Sequence, residues 1–142
     1  MSKNTKKRVL IVDDAQFTRN SWRFTSVERN MLKNIIAKID QIEVIGEASN
    51  GVEAISLYKK LSPDLITMDL VMPEKGGIEA TEEILKINPK ALIVVVSALG
   101  QEALVLEAAK KGAKDFIQKP FKSEQILEVM NRILKNKKTD KK

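Results

Sequence analysis

The sequence predicts an α/β fold: a single doubly wound domain with a five-stranded parallel sheet and five helices. Three observations carry this expectation. Five short, apolar, β-branched runs alternate with segments of helical period along the 142 residues. The third and fourth runs lack apolar/polar alternation, as strands covered on both faces do. No linker, composition shift or internal repeat divides the chain, and one domain fits its length.

The first strand is Val9-Leu10-Ile11-Val12, followed by Asp13 and Asp14. The segment from Ala15 to Gln41 holds the first helix in one of two placements. A helix from Gln16 to Ile39 would extend roughly 36 Å and overhang strands of about 17–20 Å. A helix capped by Thr25, with Glu28 completing a capping box, would instead bury Met31, Leu32, Ile35, Ile36 and Ile39. Ala15 to Phe24 then becomes a long loop beside the acidic pair. The local capping signal favours the loop, in which Trp22, Phe24, Arg19 and Arg23 either reach the pocket or pack the loop down.

Val44-Ile45 marks the second strand, and Val52, Ala54, Ile55, Leu57, Tyr58 and Leu61 the stripe of the second helix. Leu65-Ile66-Thr67-Met68 is the third strand, with Ile78, Ala80, Thr81, Ile84, Leu85 and Ile87 on the helix after it. Leu92 to Val96 form the fourth strand, and Ala103, Leu104, Leu106, Ala108 and Ala109 the fourth helical stripe. Phe116-Ile117 is the fifth strand; Ile126, Leu127, Val129, Met130, Ile133 and Leu134 complete the pattern. Pro63, Pro89 and Gly112 follow helices, and Ser123 is expected to cap the last one, with Glu124 near its positive end.

Neither Cys nor His occurs, which excludes a thiol nucleophile, a Ser-His-Asp triad, a disulfide frame and a Cys/His zinc site. The formal charge of +6 lies in the tails: residues 1–8 carry +4, residues 135–142 carry +4, and residues 9–134 are left at −2. We therefore divide the chain into a basic N-terminal tail (1–8), one domain (9–134) and a basic C-terminal tail (135–142). With 4% aromatic residues and none interleaved with the lysines, a nucleic-acid partner is not expected. No apolar run approaches a membrane span of about 20 residues, and Met1 to Arg8 lack the apolar core of a signal peptide. The expectation is a cytoplasmic protein without membrane insertion.

In doubly wound sheets ligands bind beyond the carboxyl ends of the strands. There the sequence sets Asp13 and Asp14, Asp69, Ser97, and Lys119 with Pro120. Crowded carboxylates imply a divalent cation, and oxygen-only donors suit Mg²⁺. A hydroxyl and a lysine beside them match the charge of a phosphoryl group, with Asp69 as a nucleophile forming an acyl phosphate.

The stretches VLIVDD (Val9–Asp14), GEASNGVEA (Gly46–Ala54), DLITMDLVMPEKGG (Asp64–Gly77), VSALG (Val96–Gly100) and GAKDFIQKPF (Gly112–Phe121) resemble the receiver domains of two-component response regulators. The resemblance covers nearly the whole chain. It implies a flavodoxin-like sheet of order 2-1-3-4-5, Asp69 as phosphoacceptor, and Mg²⁺ held by Asp13, Asp14, Asp69 and the backbone carbonyl of Val71. It further implies Ser97 as the switch hydroxyl, Lys119 as the phosphate-binding cation, Phe116 as a rotameric aromatic switch, and a cis Lys119-Pro120 bond. Such a protein is no enzyme beyond catalysing its own Mg²⁺-dependent phosphorylation and dephosphorylation.

With no room for an output domain after the fifth helix, the chain is expected to act by binding. It most resembles stand-alone chemotaxis regulators of the CheY type. That implies a chemotaxis histidine kinase as donor, the flagellar motor switch as target through helix four, strand five and helix five, and a phosphatase as a further partner. The alternative is a phosphorelay intermediate that passes the group to a histidine phosphotransfer protein. A metal-dependent phosphatase is disfavoured because Val71 stands where a second acid would be needed. Val71 and Leu99, two residues after Asp69 and Ser97, are apolar, which predicts slow hydrolysis of the acyl phosphate.

Overall fold

The computed structural model describes residues 6–13, 31–70 and 76–139, with the backbone alone from 134 to 139. The strands are β1 (Lys7–Val12), β2 (Ile42–Ala48), β3 (Leu65–Asp69), β4 (Leu92–Ser97) and β5 (Asp115–Gln118). They form one parallel sheet of order β2-β1-β3-β4-β5. Five helical stretches occur among the described residues: α1, helical at 31–37, α2 (Gly51–Leu61), α3 (Gly77–Ile87), α4 (Glu102–Lys110) and α5 (Ser123–Thr139).

Strand alternation divides the core in two. Val9, Ile11, Leu65, Val94, Val96 and Ile117 face Leu32 and Ile36 of α1 and Ile126, Val129, Met130 and Ile133 of α5. Leu10, Val12, Ile66, Met68, Ile93 and Val95 face Ala54 and Tyr58 of α2, Ala80 and Ile84 of α3, and Ala108 of α4. Every position of the central strands β3 and β4 except Leu92 is buried, which is why their sequences read as unbroken apolar runs.

Several helical expectations are corrected. Met31 is exposed, and α1 ends at residue 37, so that Ile39 lies in the following turn and only Leu32 and Ile36 are fully buried. Val52, Ile87 and Leu127 face solvent. On α4, Leu104, Val105 and Ala108 pack inward while Ala103, Leu106 and Ala109 are exposed. At about 100° per residue, Leu106 lies roughly 200° from Leu104 and cannot share its face. Ser123 is the first residue of α5 rather than its cap, since the Ile126 N–H bonds the Lys122 carbonyl at 3.1 Å. The helix then continues through Thr139, beyond residue 134. The placement of Ala15 to Phe24, the Thr25 cap and Glu28, and the first five residues lie outside the described residues.

Two local devices fix the chain on either side of the sheet edge. Asn50 caps α2, its side chain accepting from the Glu53 N–H at 2.8 Å, while Glu53 accepts from the Ser49 N–H at 2.7 Å. β2 runs longer than Val44-Ile45, and its register against β1 slips between Val9 and Leu10, leaving Ile45 unpaired.

Candidate functional site

Parallel register carries the residues that follow each strand to one edge. Val12 pairs with Met68, so Asp13 continues alongside Asp69, and the Asp13 N–H is held by the Ala48 carbonyl at 2.9 Å. Asp69 closes β3 opposite Val96 of β4, and the Leu70 N–H donates to the Val96 carbonyl at 3.2 Å. Ser97 closes β4 opposite Gln118, and the next N–H of that strand, from Lys119, donates to the Ser97 carbonyl at 2.8 Å. The Lys119–Pro120 peptide is cis.

Asp13, Asp69 and Ser97 are 2%, 7% and 3% exposed. Carboxylates so far from water need a cationic partner. Asp69 has one in Lys119, whose Nζ lies 3.6 Å from Oδ2. That separation exceeds a direct charge-assisted hydrogen bond, which spans about 2.7–2.9 Å, and the pair is held by charge. The candidate ligands at this sheet edge are oxygens, so the chemistry fits a hard divalent cation and excludes a soft one. No group of three or more acidic side chains gathers around one point among the described residues. Asp14 and the Val71 carbonyl lie outside them.

Phe116 sits on β5, three residues before Lys119, with its ring turned to solvent at 42% exposure. Its N–H donates to Oδ1 of Asp115 at 2.8 Å, and Oδ2 of Asp115 accepts from Arg132 Nε at 2.7 Å. That hydrogen bond, then the charge of Asp115, raises the Arg132 guanidinium above its ordinary value, with Glu128 adding a smaller share. Asp115 thus ties the backbone of Phe116 to α5.

Two residues beside the site went unread in the sequence. Gly77 opens α3, donating its N–H to the Leu70 carbonyl at 3.1 Å, and a Cβ there would fall on the Asp69 carbonyl oxygen and 2.8 Å from the Leu70 Cα. The Gly76-Gly77 pair before an apolar stripe was the available signal. Gln101, just ahead of α4, accepts a 2.7 Å hydrogen bond from the Ala98 N–H through its side-chain carbonyl. No pattern of residue types announces such a bond.

Residues 9–131 match the family described as the response regulator receiver domain. The chain belongs to that family. Two relatives of this receiver are named chemotaxis protein CheY. The one from Thermotoga maritima is 54% identical over 91% of this chain and 98% of its own length. The one from Bacillus subtilis is 46% identical over 89% and 97%. A solved complex of CheX, CheY, BeF₃ and Mg²⁺ from Borrelia burgdorferi contains a chain of TM-score 0.79 and 30% identity, covering 92% of this receiver and 90% of that chain. The flavodoxin-like order implied by the resemblance is the order observed.

Proposed function

We propose that this receiver is a phosphorylation-switched chemotaxis regulator that takes a phosphoryl group on Asp69 from a histidine kinase and then binds the flagellar motor switch. The observation that carries the reading is the buried Asp69 carboxylate held by Lys119 at 3.6 Å, at the sheet edge to which strand register also brings the buried Asp13 and Ser97. High identity to two CheY proteins over nearly their full length supports the chemotaxis assignment.

In the transfer, an Asp69 carboxylate oxygen attacks the phosphorus of a phosphohistidine. The new P–O bond forms as the P–N bond breaks, and the departing imidazole recovers a proton from solvent. Lys119 is placed to offset charge on the phosphoryl oxygens, and the Ser97 hydroxyl to donate to one of them. Asp13, Asp14, Asp69 and the Val71 carbonyl are the residues to hold Mg²⁺, which when bound neutralises charge shared by the acids and the phosphoryl group. The receiver thus promotes its own phosphorylation and dephosphorylation and acts on no other substrate.

Switching is a population shift: the phosphoryl group favours the state in which Ser97 turns to it and Phe116 turns inward. The partner then reads α4, β5 and α5, where Leu106 and Phe116 are exposed. A phosphatase and the cytoplasm as the place of action complete the reading. No helix among the described residues is long and apolar enough to cross a membrane.

The test is a calorimetric titration of purified motor-switch protein with this receiver, with and without beryllofluoride and Mg²⁺. Binding only to the loaded form is expected. Equal binding to both forms contradicts the switch, and transfer from Asp69 to a histidine phosphotransfer protein without motor-switch binding replaces it with the phosphorelay role.

A further inference from the structure

The peptide joining Ser97 to Ala98 is trans, since Lys119–Pro120 is the cis bond found among the described residues. In a trans peptide the carbonyl and the N–H point in opposite directions. The Ser97 carbonyl accepts from Lys119 on the β5 side. The Ala98 N–H therefore points to the other side, toward β3. There β3 has already ended: Asp69 pairs with Val96, two residues before Ala98, and Leu70 spends its N–H on the Val96 carbonyl. The Ala98 N–H thus faces the space beyond Asp69, where no strand partner follows among the described residues.

That donor is occupied from within. Gln101 folds its side-chain carbonyl back onto it at 2.7 Å, and the Gln101 N–H returns a 3.2 Å bond to the Ala98 carbonyl. Gln101 holds the N-cap position of α4 yet makes no side-chain cap bond to the helix, while its own carbonyl accepts the Val105 N–H at 3.0 Å. One side chain therefore connects the residue after Ser97 to the first turn of α4.

Resting on the reading of Asp69 as phosphoacceptor, we propose that Gln101 is a positioning residue that competes with the phosphoryl group for the Ala98 N–H. A phosphoryl oxygen on Asp69 is anionic and a stronger acceptor than an amide carbonyl. Phosphorylation displaces Gln101, and the first turn of α4 loses its tie to the strand end. The competition raises the threshold for loading the site and couples loading to the position of α4.

The two variants that test this move in opposite directions. Gln101→Ala removes the competitor, and beryllofluoride with Mg²⁺ should bind about threefold to tenfold tighter, the equivalent of one net hydrogen bond. Gln101→Glu keeps an acceptor, adds negative charge, and should bind more weakly than the original chain. A merely structural role would weaken binding in both. Gln101→Asn, one methylene too short for the same reach, repeats the first test should the alanine variant fail to fold. Unchanged or weaker binding in the folded Ala or Asn variant overturns the proposal. If the original chain itself binds no beryllofluoride, the phosphoacceptor reading falls first and this inference with it; an Asp69→Asn control assigns any binding seen to the site.

Discussion

The Cα of Gly77 stands against the backbone of Asp69, so close that no side chain fits between α3 and the end of β3. The Gly77 N–H also holds the Leu70 carbonyl, and these two contacts fix how the chain leaves Asp69. Gly77→Ala should cost about 1–3 kcal/mol, as overpacking against unyielding backbone does, and should slow phosphorylation by small donors. Gly76→Ala is the control. Among the described residues its Cβ would meet only the Leu70 carbonyl, at an ordinary 3.6 Å, and its stability should stay within about 0.5 kcal/mol. Urea midpoints of the two variants check both statements.

One pleat below Asp69, Thr67 is fully buried and its hydroxyl has no hydrogen-bond partner among the described residues. An unsatisfied buried hydroxyl destabilises by about 1–3 kcal/mol relative to an apolar group of the same shape. Thr67→Val should therefore raise stability by about 1 kcal/mol in thermal or urea unfolding. It should leave the rate of phosphorylation unchanged. A loss of stability would mean that the hydroxyl has a role in the fold.

Leu99 is 73% exposed and apolar, and Val71 is apolar too, so neither offers a polar group to orient water at an acyl phosphate. Val71→Asn should accelerate decay of the phosphorylated form, on the order of tenfold, because one amide can position the attacking water. Loss of the added mass with time, measured at fixed Mg²⁺, reads this directly. An unchanged half-life would remove the apolar positions as the cause of persistence.

The strands were legible because burial on both faces leaves an unbroken apolar run, as from Leu92 to Val96. The edge strand β2 was legible only at its centre, since Glu43, Gly46 and Glu47 interrupt the signal where one side meets solvent. Helix stripes were legible to the extent that one face alone is apolar. On α4, Leu106 and Ala109 are apolar yet exposed, so residue type could not separate the inner face from the outer one. The Asn50 cap stood in the sequence as Asn-x-x-Glu and went unread.

At the site, Asp13, Asp69, Ser97 and Lys119 could be named because parallel register carries whatever follows each strand to one edge. Gln101 and Gly77 could not be named in that way. Their importance lies in a side chain folding back on a turn and in a backbone approach, and neither leaves a periodic trace. Asp14 and Val71 lie outside the described residues; Asp14 was read from its place after the first strand, and the Val71 carbonyl rests on the resemblance alone.

The most direct measurement is the intact mass of the chain after incubation with a small phosphodonor, with and without Mg²⁺, beside an Asp69→Asn variant. A single phosphoryl gain that requires both Mg²⁺ and Asp69 is expected. No gain with Mg²⁺ present, or an equal gain in the Asp69→Asn variant, would contradict it.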